Sequence, residues 1–272
     1  MAERPMPVTI PLGEITSYLD RELRVAEVPD HPSALNGLQV ENTGRVRHII
    51  AAVDASQAAI DYAASTLHER PARDEPERNG GALLLVHHGL FWDGNIPATG
   101  RRYRRLKGLL DGDVALYAAH IPLDLHPEVG NNAVLARLLG MEVQGRWGDH
   151  RGTPLGVWGN LVEPRDALCH RLDDLLETRS RLIPGGPEHT GKVGIITGAG
   201  GSSIAEARQV GIDTFLTGEG AHHTYFDAIE WGLNVIYAGH YATETVGVKA
   251  LAARVAERFG IPWEFFRQDT GM

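Results

Sequence analysis

The chain repeats itself, and an internal repeat restricts topology before any single motif does, because each copy must form the same supersecondary unit. The stretch RHIIAAVDASQAAIDYA at 47–63 can be laid over VGIITGAGGSSIAEARQVG at 193–211, with apolar run, turn and helix-forming run in the same order. GALLLVHH at 81–88 then matches DTFLTGEGAHH at 213–223, both ending in a histidine pair, and VALYAAHIPLD at 114–124 matches NVIYAGHYATE at 234–244. In the last match His120 corresponds to His240, and a carboxylate lies four residues beyond each, Asp124 and Glu244. Apolar runs of strand length alternate with helical patterns, which favours a layered α/β architecture. Two structural repeats are therefore expected to face each other, with polar residues from both converging on one cleft.

Local patterns fill in the rest. Leu12, Ile15, Leu19 and Leu23 recur at helical spacing and predict a helix over 12–23. The Pro-, Asn- and Gly-bearing run at 29–44 reads as loop with a short strand at most, and the charged stretch HERPARDEPERNG at 68–80 as a solvated loop. Residues 120–126 read as loop after a strand, 131–139 as a short helix stopped by Gly140, and 145–160, rich in glycine and aromatics, as a lobe junction. A helix is expected at 165–177 and a closing strand at 261–266. TGAGGSS at 197–203 lacks the lysine and spacing of a phosphate loop and is read as a tight strand-to-helix turn. The approximate lobes are 1–140 and 141–272, with the site expected between them.

Thirteen histidines stand against one cysteine, Cys169, so an internal disulfide and a Cys-rich zinc site are both excluded. Any metal would have nitrogen and oxygen ligands. A formal charge of −9 argues against a broad basic groove for nucleic acid. No apolar run has the length of a membrane span, and the N-terminus does not read as a secretory signal, so a cytoplasmic protein is expected.

His87 and His88 follow Leu83, Leu84, Leu85 and Val86, an apolar run of strand type. Adjacent side chains inside a regular strand point to opposite faces, but at a strand end two imidazoles can each reach a different ion of a pair. Paired metals in hydrolases sit about 3.5–4 Å apart. His240 and Glu244 are at i and i+4, on one face of a helix that Thr243 or Thr245 would cap. A carboxylate can bridge two ions, which suits Glu244, and Asp124 adds an oxygen donor from the other repeat. His87, His88, Asp124, His240 and Glu244 are the predicted metal ligands. His120 lines the site as a group able to donate or accept a proton, and Cys169 is read as packing.

Six stretches carry a family resemblance: NGLQV at 36–40, VDASQAAID at 53–61, VHHGLFW at 86–92, HIPLDLHPEVGNNAVLARLLG at 120–140, DTFLTGE at 213–219 and AGHYATETVGVKAL at 238–251. The chain resembles the GTP cyclohydrolase 1 type 2 homologue family, also called the Nif-three-like dinuclear metal-centre proteins. The resemblance implies two intertwined, pseudo-repeated α/β lobes with mixed sheets, a dinuclear metal site with the same five ligands, and a ring-shaped homo-hexamer. It demotes His222 and His223 from the ligand set, and it marks Tyr241 as a departure, since many relatives carry a second histidine there. The expected cofactors are two divalent ions per subunit, of zinc, manganese, iron, nickel or cobalt. The activity implied is a metal-dependent hydrolase acting on a nucleotide or other small molecule, with purine ring opening of GTP suggested by the family name. The competing readings are a metal phosphohydrolase and a non-enzymatic metal-binding scaffold or regulator.

Overall fold

A computed structural model describes residues 9–66 and 80–272. The expected loop at 68–80 therefore lies almost wholly outside the described residues. In chain order the first elements are β1 (Ile10–Pro11), α1 (Leu12–Glu22), β2 (Gly37–Val40), β3 (Arg45–Asp54), α2 (Gln57–Ser65), β4 (Gly81–His88), α3 (Gly100–Gly112), β5 (Val114–Ala118) and a single helical turn α4 (Ile121–Asp124). Then come α5 (Asn131–Leu138), β6 (Gly145–His150), β7 (Thr153–Asn160), α6 (Arg165–Leu176), β8 (Arg181–Pro184), β9 (Lys192–Ile196), α7 (Ile204–Gln209) and β10 (Thr214–Thr217). The last are α8 (Thr224–Trp231), β11 (Asn234–Tyr237), α9 (His240–Phe259) and β12 (Trp263–Phe265).

The chain forms two compact units, Met1–Pro122 with Val248–Gln268, and Leu123–Gly247 with Asp269–Met272. The division falls at Pro122 and not near 140, because α5 packs on β7 and β9 and Asn132 accepts the Thr197 backbone N–H at 2.9 Å. Each unit holds one mixed six-stranded sheet. The first runs β1-β3-β4-β5-β2 with β12 also on β3; the second runs β6-β7-β9-β10-β11-β8. Three parallel neighbours recur in both, β3-β4-β5 and β9-β10-β11, each flanked by an antiparallel strand, β2 or β8, on the side of the last. The repeat seen in sequence is thus a repeat of topology.

Central parallel strands are covered on both faces, so they read as unbroken apolar runs. In β4, residues 81–87 are all buried, and Leu84 and Val86 enter a core with Ile50, Ile60, Leu109 and Leu116. The second unit has its own core around Phe215, Trp147, Ile196 and Val235. Residues 145–160 are no junction: β6 and β7 form an antiparallel hairpin, and Trp147 turns inward to meet the Phe215 ring at 5.0 Å. The stretch 120–126 is also more regular than a loop, since α4 makes one helical turn there. No helix among the described residues is long and apolar enough to cross a membrane.

Candidate metal centre

In the first unit the polar side chains gather at the carboxyl ends of β3, β4 and β5, where open α/β sheets place their ligands. His87 is fully buried, and its Nδ1–H donates to the Ala119 carbonyl at 2.9 Å. A carbonyl oxygen can only accept, so Nδ1 carries a proton, and Nε2 is the atom through which this ring could ligate. His88 is the last β4 residue in register with β3, opposite Asp54, whose Oδ1 lies 3.0 Å from His88 Nδ1. His120, just past β5, holds Asp30 through Nδ1 at 2.9 and 3.1 Å. The His87 and His88 rings are 4.7 Å apart, and His120 stands 5.1 and 5.6 Å from them. One ligating atom from each of the three imidazoles falls within 4.8 Å of the others. At this strand end both adjacent imidazoles belong to one cluster, and His120 has a ligand's reach as well as that of a proton-transfer group.

The second unit uses the same edge of its sheet. His240 opens α9, its Nδ1 is 2.9 Å from Glu219 Oε1, and its Nε2 is 3.2 Å from Glu244 Oε2. Glu244 is 3 % exposed. Its hydrogen bond and charge, opposed by burial and reinforced by Glu219, push the His240 imidazole up to about 9. A cation bound there would have to displace that proton, so uptake would release protons and weaken as pH falls. Asp124 is buried and accepts from Asn131 Nδ2 at 2.8 Å, while Asn131 Oδ1 takes the Gly247 N–H at 2.8 Å. Thr243 and Thr245 are not caps: both hydroxyls donate back to carbonyls, Thr243 to Gly239 and His240 and Thr245 to Ala242.

The donor set suits a borderline divalent metal. Four imidazoles each have Nδ1 tied to a carbonyl or carboxylate, the outer contact that fixes tautomer and aim in metal-binding histidines. The three carboxylates among those contacts, Asp54, Asp30 and Glu219, are functional candidates that sequence reading did not single out. Asp54 and Glu219 follow apolar strands inside VDASQAAID and DTFLTGE, a usable signal. Asp30 sits in a Pro-rich loop and offers none.

The second histidine pair does not copy the first. Leu85 pairs with Tyr117 in one sheet and Thr217 with Tyr237 in the other, so two residues further on His87 is matched by Glu219. His222 and His223 lie beyond, exposed, in the turn leading into α8. Tyr241 is buried, with its N–H 3.3 Å from the Met272 carbonyl. TGAGGSS makes a tight turn, its backbone reversing at Gly198 with φ +66°.

A family model described as Duf34/NIF3 (NGG1p interacting factor 3) matches residues 11–271. The chain belongs to the Duf34/NIF3 family. Among curated relatives, a protein of Deinococcus radiodurans is 43% identical over 95% of this chain and 94% of its own length. One of Halobacterium salinarum is 40% identical over 96% and 99%. Both carry the name GTP cyclohydrolase 1 type 2 homolog. Of solved structures, TTHA1606 from Thermus thermophilus matches with TM-score 0.82 and 40% identity, over 97% of this chain and 100% of that one. The protein ybgI, whose description gives its function as unknown, matches with TM-score 0.85 and 36% identity over the same shares. The Duf34/NIF3 fold and a His/Glu cluster able to hold a metal ion are therefore both present.

In this Duf34/NIF3 chain Asp30 is the most heavily solvated of the supporting carboxylates by protein donors. Burial raises its pKa, but His120, Asn36 and the His31 N–H outweigh that and hold it at about 2, against an ordinary 3.8. A pKa lowered on folding adds stability above the unfolded value, and that stability is lost as pH falls toward 2. Asp30→Asn is expected to remove on the order of 2 kcal/mol of pH-dependent stability. Urea unfolding at pH 5 and pH 3 checks it: the wild type should lose more stability across that interval than the variant, and equal losses would contradict the assignment.

Proposed function

We propose that His87, His88, Asp124, His240 and Glu244 supply the ligands for two divalent cations, and that the protein is a metal-dependent hydrolase acting on a nucleotide. The observation that carries this reading is the set of imidazoles whose Nδ1 faces a carbonyl or carboxylate, which makes Nε2 the ligating atom; His31 and His126 instead accept backbone N–H groups at Nδ1. The relatives' shared name supports the nucleotide. Bound divalent cations supply a nucleophile at neutral pH by lowering the pKa of water. Asp30 holds His120 with its proton on Nδ1, leaving Nε2 to accept a proton from the nucleophile and return it to the leaving nitrogen. For GTP, water adds at the carbon between the two imidazole-ring nitrogens of guanine and one C–N bond breaks.

An anionic substrate is also favoured by α3, where Arg101, Arg102, Arg104, Arg105 and Lys107 concentrate positive charge in a chain of net −9. Burial and Arg101 lower the Arg105 pKa, while Asp54 and Asp93 raise it, so this guanidinium lies in the field of the carboxylate that holds His88. The run RRYRRLK at 101–107 was there to be read in the sequence.

The test is turnover of GTP by metal-loaded protein, with His120→Gln in parallel. The expected result is product from the wild type and a drop of about 10²–10⁴-fold in kcat for the variant, at unchanged metal content. Absence of turnover with both ions retained would remove the cyclohydrolase reading and favour a metal-binding scaffold. Cleavage of a phosphoester instead would make it a phosphohydrolase.

A further inference from the structure

The second unit contains a cavity of about 470 Å³, lined in part by Gly220, Ala221 and His222, that includes none of the proposed metal ligands. Its walls include Arg181, His222, Thr224, Tyr225, Phe226 and Tyr237. Volumes of roughly 300–1,000 Å³ suit small-molecule ligands. Phe226 and Tyr225 are 52 % and 44 % exposed and meet edge to face at 5.4 Å, and His222 lies edge to face with Phe226 at 5.8 Å. Exposed aromatic faces set at right angles offer one flat surface for stacking and one edge for contact. The floor is polar, where the Tyr237 and Thr224 hydroxyls share a short hydrogen bond.

Arg181 brings a positive charge to this cavity, and Tyr237 also feels the opposing charge of Asp227. Arg181 lies beside Tyr237 in the sheet; burial pushes the Tyr237 pKa up, the Thr224 hydrogen bond and then the Arg181 charge oppose that, and Asp227 adds to the rise. No carboxylate forms an ion pair with Arg181 among the described residues. A guanidinium in that state is a ready partner for a phosphate or carboxylate. Gly220 lies against Tyr237: a Cβ there would lie 2.4 Å from the Tyr237 hydroxyl and 2.6 Å from its ring, so only glycine lets the loop lie flat on the tyrosine. That loop has two sides. Glu219 reaches His240, and the next residues, Gly220 to His222, line the cavity.

We propose that this cavity is a binding site for a planar aromatic ring bearing an anionic group, with the ring stacked on Phe226 and the anion held by Arg181. It gives the exposed His222 a place in the wall. The inference deepens the proposed function and rests on it for the choice of a nucleotide as ligand; binding is measured without turnover, so the two fail separately.

The experiment is calorimetric titration of the full-length protein with GMP, guanosine and ribose 5-phosphate. The expected result is that Arg181→Ala weakens GMP by ~10-fold or more and leaves guanosine within about twofold. Arg181→Lys should recover part of the loss. Phe226→Ala should weaken GMP and guanosine alike by ~5- to 100-fold, the range of base stacking on an aromatic ring, and leave ribose 5-phosphate unchanged. Both side chains are exposed, and unchanged thermal unfolding would show the fold intact. Failure of the wild type to bind GMP would overturn the proposal, as would GMP binding that falls in His240→Ala but not in Arg181→Ala. A smaller sedimenting mass for Phe226→Ala would also overturn it, by giving the cavity to an aromatic side chain of a second copy.

Discussion

Glu244→Ala is expected to purify without either metal ion, measured by elemental analysis beside the wild type. Its carboxylate is buried, lies 3.2 Å from His240 Nε2 and is held on the first turns of a long helix, so no water or neighbouring side chain can take its place without rearrangement. Changes in the outer contacts of metal ligands cost about 10- to 100-fold in affinity, and if Glu244 is a ligand shared by both ions, as the proposed set has it, its loss should exceed that for both at once. Loss of a single ion would keep Glu244 as a ligand and deny it the bridge. Full retention would sink its assignment. The same change removes the chief group holding the His240 proton, so a chemical-shift titration of His240 should show its pKa fall even in metal-free protein.

The second large effect is expected from Gly198→Ala, a change distant from Glu244 in sequence. A Cβ on Gly198 would lie 2.1 Å from Glu244 Oε1 and 3.4 Å from His240 Nε2. The backbone has little freedom to retreat, because the Gly198 carbonyl accepts from the Gly218 and Glu219 N–H groups and its own N–H reaches Thr243 Oγ1 at 3.0 Å. Glu244 must therefore leave its position. Metal content should fall as in Glu244→Ala, with an added stability cost of about 1–2 kcal/mol for an alanine at positive φ. Gly211→Ala separates the two causes, since φ there is +72° but nothing lies within 4 Å of the new Cβ. That variant should lose stability and keep its metal. Gly198→Ala with full metal content would show that the carboxylate can move without consequence.

Among the ligand candidates, His87 and His88 were legible because they end an apolar strand, and Asp124 and Glu244 because each lies four residues beyond a histidine. A chain that runs Leu83–Val86 straight into His87 and His88 breaks an apolar run with polar side chains, and function is the economical reason. His120 and His240 stood out through the repeat, whose copies share Tyr117–Ala118 and Tyr237–Ala238. Asp30 was invisible, since a carboxylate between prolines has no periodic neighbour to mark it. The misplaced match of His222–His223 to His87–His88 has a similar origin: identical residue types outweighed register, and only the ladder pairs Leu85–Tyr117 and Thr217–Tyr237 show that Glu219 is the true counterpart.

Strand and helix alternation, the doubled topology and the residue types at the strand ends follow from the chain read alone, because apolar periodicity and strand-end position are local properties. The tertiary structure decided which oxygen holds each imidazole: Ala119 for His87, Asp54 for His88, Asp30 for His120 and Glu219 for His240. It also decided that Gly198 must lack a side chain. Such contacts join residues far apart in the chain, and their geometry depends on strand register and loop closure, which no run of neighbouring residues encodes.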